Sequence, residues 1–233
     1  MTSATPVFRL YIVRHGRTSY NAQSLLQGKL DIPLSAYGIA QASQSTALFS
    51  PIPLHSALTS TLLRAKQTAD IILEAHIGVV GEARVEDGRL DERGLGEWEG
   101  RRAEEVGWVE EPEDAETFDE VNTRVSSFLT SLLSSLTPPA SSSATSEETN
   151  NILLVTHEDI ITSFARLFSA AAKTPSGPEW RIPTVPGWRV ELDDDVELMD
   201  GCGNLGVGSL EGFRDGDQWV LKIRAWAKEA PVV

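Results

Sequence analysis

The sequence predicts a three-layer α/β/α sandwich with a mostly parallel central sheet and an antiparallel C-terminal edge hairpin. Three observations carry this. Two apolar runs, over 8–13 and 152–155, are nearly continuous rather than alternating, the pattern of strands covered on both faces. Segments between them have helical composition or periodicity. The end of the chain, "NLGVGSLEGFRDGDQWVLKIRAWA", reads as two strands around Asp215, Gly216 and Asp217.

In chain order, "LSAYGIAQASQSTALF" (34–49) is helix-compatible and has Ser35 as its cap. A short strand is expected near Leu54 to Leu58. The helix after it starts near Thr61, with Ser60 as its N-cap and Leu62, Ala65, Ala69, Ile72 and Leu73 on one face. Residues 117–135 form another helix with an inner stripe of Phe118, Val121, Val125, Phe128, Leu129 and Leu132. Residues 136–150, rich in Ser, Thr and Pro, read as a flexible surface loop within one domain spanning 1–233, because the strand that follows must pair with earlier ones. A helix over about 159–172 precedes a Pro-, Gly- and acid-rich segment, 173–203, expected to wrap the surface.

Composition bounds the function. With 41% hydrophobic and 23% charged residues, the chain is that of a soluble globular protein. Its net charge of −14 argues against nucleic acid or an anionic membrane as the main partner, since both need a basic footprint. An anionic small molecule is compatible, because a basic pocket can sit in an acidic protein. The single cysteine, Cys202, fits a reducing compartment and reads as a small buried residue. With no signal-peptide pattern and no long apolar run, a cytoplasmic location is expected.

The chemistry lies where the apolar runs end. "FRLYIVRHGRTSYN" delivers Arg14 and His15, and "NILLVTHED" delivers His157. Ligands of open α/β sheets bind beyond the carboxyl ends of the strands, so two such strands can place both imidazoles in one pocket. Arg64, in the first turn of its helix, adds a second guanidinium. Arginine forks match phosphate oxygens, and a neutral imidazole can attack phosphorus to form a phosphohistidine. The proton donor for the leaving alkoxide comes from "GRLDERGLGEWEG", which offers Asp91, Glu92, Glu97 and Glu99.

"LYIVRHGRTSYN", "LLQGKLDIPLSAYGIAQA", "TSTLLRAKQTA", "RLDERGLGEWEG" and "ILLVTH" follow in the order and nearly the spacing of the histidine phosphatase superfamily, and the chain most resembles its phosphoglycerate mutase-like branch. The resemblance implies His15 as nucleophile, with Arg14, Arg64 and His157 holding the phosphoryl group, and Glu92 as general acid and base. It places Thr18, Asn21, Gln27 and Gly28 along the substrate side. It calls for no metal and no cofactor, and for a small phosphorylated substrate as partner; the sequence assigns no oligomeric state.

Two residues depart from the pattern. The family usually has glycine after its second histidine, where this chain has Glu158 and then Asp159. Glu158, counted with the substrate-binding residues, can repel substrate, point away, or donate a proton. Arg17 stands where the family mostly carries Glu or Gln, and adds positive charge at the mouth. The short acidic segment 110–124 lacks the arginine pair of the mutases; Arg101 and Arg102 lie too close to Glu92 to match it. Hydrolysis of small phosphomonoesters is therefore expected. The alternatives are a cofactor-dependent phosphoglycerate-type mutase and a catalytically weakened binding protein. Among the tryptophans, Trp98 is the one expected near substrate.

Overall fold

Seven strands form one sheet in the order β3-β2-β4-β1-β6-β7-β5 in the computed structural model of the chain, which describes residues 5–76, 84–107, 110–136, 149–172, 188–193, 196–198 and 201–228. The strands are β1 (Phe8–Arg14), β2 (Ser56–Thr59), β3 (Arg84–Glu86), β4 (Asn150–Thr156), β5 (Trp188–Leu192), β6 (Val207–Asp215) and β7 (Gln218–Lys228). β1 pairs in parallel with β4, β4 with β2, β2 with β3, and β7 with β5; β6 alone runs against its neighbours. The sheet is thus mostly parallel, and the β6–β7 hairpin turns at the expected Asp-Gly-Asp. Beyond β7, β5 adds a last strand from the segment expected only to wrap the surface.

The α-helices among the described residues are α1 (Ser19–Ala22), α2 (Ala36–Phe49), α3 (Leu63–Leu73), α4 (Phe118–Ser135) and α5 (Glu158–Ala172). Alternate residues of the central strands feed two cores, because successive strand side chains point to opposite faces. Phe8, Leu10, Ile12, Ile152 and Leu154 pack with α4 and α5, through Val121, Val125, Phe128, Phe164 and Phe168. Val13, Leu153, Val155 and Ala57 pack with α2 and α3, through Ala42, Phe49, Ala65, Ala69 and Ile72. Helices therefore cover both faces, and β4 is buried over 151–156, which is why its sequence is continuously apolar.

Local chemistry sets most helix ends. Ser35 caps α2 by accepting from Gly38 N, and Thr117 with Glu120 forms a capping box at α4. The expectation for α3 needs correction. It starts at Leu63, and its N-cap, Leu62, makes no side-chain cap bond. Ser60 has other partners, described below.

α2 fixes the position of the loop after β1 through a close approach. A Cβ on Gly38 would lie 2.0 Å from Arg17 O, and one on Gly16 would lie 2.9 Å from Gly38 O. Most of the loop expected over 136–150, the stretch 173–187, Trp108 and Trp180 lie outside the described residues. Among the described residues no helix is long and apolar enough to cross a membrane.

Candidate active site

The register of two strands brings the histidines together. Arg14 pairs with Thr156 at the carboxyl ends of β1 and β4, and His15 N donates to Thr156 O at 2.9 Å. His15 and His157 are the next residues out, with ring centroids 5.1 Å apart. Both are buried: His15 is 1% exposed and His157 is fully enclosed.

Partners define the protons on both rings. His15 Nδ1 lies 2.8 Å from Gly16 O. A carbonyl only accepts, so Nδ1 carries the proton and Nε2 keeps its lone pair. His157 Nε2 lies 2.7 Å from Ser60 Oγ, and that hydroxyl donates to Asp91 Oδ1 at 2.7 Å. His157 is then the donor to Ser60, and its Nδ1 is a lone-pair nitrogen. Burial, first, and the Arg64 and Arg14 charges hold His15 well below the usual imidazole range. Burial and then Arg64 do the same for His157. Both rings are neutral near pH 7.

The arginines are held by backbone carbonyls. Arg64, fully buried, donates from Nη1 to Leu30 O at 2.7 Å and from Nη2 to Gly28 O at 2.8 Å. Gly28 has φ +49, and a Cβ there would meet Glu99 Oε1 at 2.0 Å, so a glycine lets this carbonyl reach Arg64. Arg14 Nη1 donates to Cys202 O, and Nη2 pairs with Glu158 Oε2 at 2.7 Å. Arg14 Nε, Arg64 Nε and His157 Nδ1 are buried with no hydrogen-bond partner.

The competition among the loop acids resolves by contact. Asp91 accepts from Ser60, from Thr61 N at 2.7 Å and from Thr61 Oγ1. Glu99 Oε1 accepts from Lys29 N and Leu95 N, and Glu97 is exposed. Glu92 is left: its Oε1 accepts from Arg93 N at 3.0 Å. Part of Glu92 remains open, yet enough protein surrounds its carboxyl that burial, followed by the Asp159 charge, raises its pKa to about 7 against the pull of Arg64. A carboxyl near 7 can give a proton and take one back at neutral pH.

Four residues missed by sequence reading hold this arrangement. Arg93, only 4% exposed, pairs with Asp159 at 2.9 Å and Glu111 at 2.8 Å and lies over the Phe118 ring. Arg124, from α4, donates to Arg89 O and to Glu92 O, gripping the backbone of the glutamate loop. Asn204 donates to His15 O at 2.9 Å, and Ser60 orients His157. Arg93 adjoins Glu92 and Asn204 lies near Cys202, but no local signal marks either.

Other expected positions have plain surroundings. Thr18 Oγ1 donates to Gln27 Oε1 at 2.8 Å and accepts from Asn21 N, while Asn21 Oδ1 accepts from Thr18 N at 3.1 Å, which ties these three residues together. Arg17 is exposed, with its guanidinium over the Tyr37 ring. Trp98 is 5% exposed, in the turn Gly96–Trp98, and Cys202 is buried as expected. No group of three or more metal-ligating side chains occurs among the described residues.

The family model described as histidine phosphatase superfamily (branch 1) matches residues 10–195. Fructose-2,6-bisphosphatase TIGAR B of Danio rerio is 36% identical over 140 residues, covering 55% of this chain and 54% of that protein. Probable phosphoglycerate mutase GpmB of Klebsiella pneumoniae is 37% identical over 107 residues, covering 44% and 48%. The chain spans about half the length of the curated relatives it matches. A mycobacterial glucosyl-3-phosphoglycerate phosphatase structure aligns with TM-score 0.67 at 23% identity, over 95% of this chain and 100% of that one. A phosphoglycerate mutase from Bacillus anthracis aligns with TM-score 0.69 at 18% identity, over 96% and 94%. These likenesses show a shared fold.

Proposed function

The chain belongs to the histidine phosphatase superfamily, and from that membership we propose that it is a metal-independent phosphatase that hydrolyses small phosphomonoesters, such as a sugar phosphate or another phosphorylated metabolite. One observation carries the reading. His15 is neutral, fixed by its Nδ1–H on Gly16 O, and keeps a lone pair on Nε2, with the His157 ring 5.1 Å away and within the field of Arg64 and Arg14. The names of relatives and neighbours, a fructose-2,6-bisphosphatase and a glucosyl-3-phosphoglycerate phosphatase, support hydrolysis.

In the first step the Nε2 lone pair attacks phosphorus while the ester P–O bond breaks. Protonated Glu92 gives its proton to the departing alkoxide, which leaves as the alcohol. In the second step the Glu92 carboxylate takes a proton from water, and the hydroxide so formed attacks phosphorus. The N–P bond breaks, its electron pair returns to Nε2, and Glu92 is protonated again. Arg14 and Arg64 bind the phosphoryl oxygens and offset charge in both transition states, the work a divalent ion does elsewhere, and His157 joins them when its Nδ1 takes up a proton along with the entering anion. The Ser60–Asp91 pair fixes His157.

A panel of phosphate monoesters assayed in EDTA, with wild type and His15→Ala, tests the reading. Turnover is expected to survive EDTA and to vanish in His15→Ala. Quenched wild type is expected to carry acid-labile, base-stable phosphate on His15. Turnover that persists in His15→Ala, or that EDTA abolishes, would refute it.

A further inference from the structure

Glu158 opens α5, one residue past His157, and holds the Nη2 arm of Arg14 at 2.7 Å. Among the groups at the phosphoryl end it is the open one. Its side chain is 43% exposed against 12% for that of Arg14, and His15, Arg64 and His157 are within 1% of full enclosure. An anion moving from solvent toward the histidines therefore meets the Arg14–Glu158 pair first. The other arm of Arg14 is committed to Cys202 O, so the arm that can change partner is the one Glu158 holds. Carboxylate and phosphoryl oxygens are alternative acceptors for such an arm.

We propose that Glu158 sets the substrate class of this pocket, admitting phosphomonoesters whose alcohol carries no second anionic group and disfavouring bisphosphates and phosphocarboxylates. This rests on the phosphatase reading above and narrows its substrate. An entering phosphoryl group takes the Nη2 arm from Glu158, but the carboxylate stays at the mouth, because the residue is anchored in the first turn of α5. Arg14 and Arg64 then face the phosphoryl charge together with an adjacent carboxylate, and among the described residues the nearby cations Arg93 and Lys29 are already matched by acids.

The nearby charges point the same way. Arg93 is shared between Asp159 and Glu111. The cleft of about 650 Å³ beside the glutamate loop has Lys29 as the one cation in its lining, against Glu99, Glu113, Asp114 and Glu116. Lys29 itself lies 3.6 Å from Glu116. Arg17 is stacked on Tyr37.

The test compares wild type, E158Q and E158G. Calorimetry measures binding of inorganic phosphate and orthovanadate and of matched esters: glycerol 3-phosphate against 3-phosphoglycerate, and fructose 6-phosphate against fructose 1,6-bisphosphate. Turnover of the same esters gives kcat/KM. Both variants are expected to bind the inorganic anions about tenfold more tightly, because like-charge contact and competition for Arg14 are removed. The preference of wild type for the less anionic ester of each pair is expected to shrink by about tenfold. Unchanged anion affinity in both variants overturns the proposal, as does tighter anion binding with an unaltered ratio between matched esters. Failure of the phosphatase reading has a separate signature, the absence of phosphohistidine and of turnover in every variant; the binding ratios of the unreacted esters then decide the proposal.

Discussion

Glu92 and Asp159 show how one carboxyl's role depends on its neighbours. Burial and the Asp159 charge raise Glu92 to about 7, whereas Asp159 itself is paired with Arg93. With Glu92 as the acid, kcat/KM for esters of poor leaving groups should fall as pH rises past about 7. A p-nitrophenyl ester, whose leaving group needs no proton, should show a flatter limb. Glu92→Gln should remove the limb and cost about 10²–10⁴-fold in rate with poor leaving groups; an unchanged pH profile in that variant would assign the proton elsewhere. Stability follows the same sign. A raised carboxyl pKa means the protonated form suits the fold, so its contribution is intact below about 4.5 and lost as pH rises through about 7. Holding the ionised group costs the fold roughly 3 kcal/mol above that range. Glu92→Gln should therefore match wild type near pH 4.5 and exceed it at pH 8 in urea unfolding.

At the scale of elements, the loop after β1 is held between α2 and the turn that leads into β6. Ser35 Oγ donates to Arg17 O and also caps α2 through Gly38 N, while Asn204 holds His15 O. Gly38 is where helix and loop touch. On an open helix position, glycine to alanine gains up to about 1 kcal/mol. Here the new Cβ would lie 2.0 Å from Arg17 O, backbone that can yield only by moving the loop. Overpacking of this kind costs about 1–3 kcal/mol, so crowding outweighs propensity. Gly38→Ala is expected to lower both the urea midpoint and kcat, since His15 lies on the displaced segment; a stabilised, fully active variant would mean the approach is looser than described.

Across the whole molecule, the site draws on chain positions as far apart as His15 and Asn204, and the sheet is what brings them together. α5 carries Glu158 and Asp159 at its start, and its apolar face is seated on the sheet through Phe164 and Phe168. Phe164 is fully buried, stacked on Phe168 at 5.8 Å and edge-on to Phe128 at 6.3 Å. Phe164→Ala should cost about 3–5 kcal/mol in denaturant unfolding. A loss below about 1 kcal/mol would contradict the seating of α5, and with it the placement of both acids.

The sequence by itself determined most of the elements and the pair of histidines that the strand ends bring together. Apolar runs, a 3.6-residue period and the cap Ser35 are local signals, and local signals need no tertiary context. His15 and His157 were legible because each follows a buried strand that ends at the same edge. Tertiary structure decided what those residues can do. Ser60 has the composition of a helix cap, but His157 and Asp91 claim its hydroxyl, and α3 starts three residues later. The strand at Trp188–Leu192 has meaning only beside β7. Glu158 on Arg14, Asp159 on Arg93 and Arg124 on the glutamate loop are contacts across long sequence separations. Strand register and helix seating create them, so no window of sequence contains both partners.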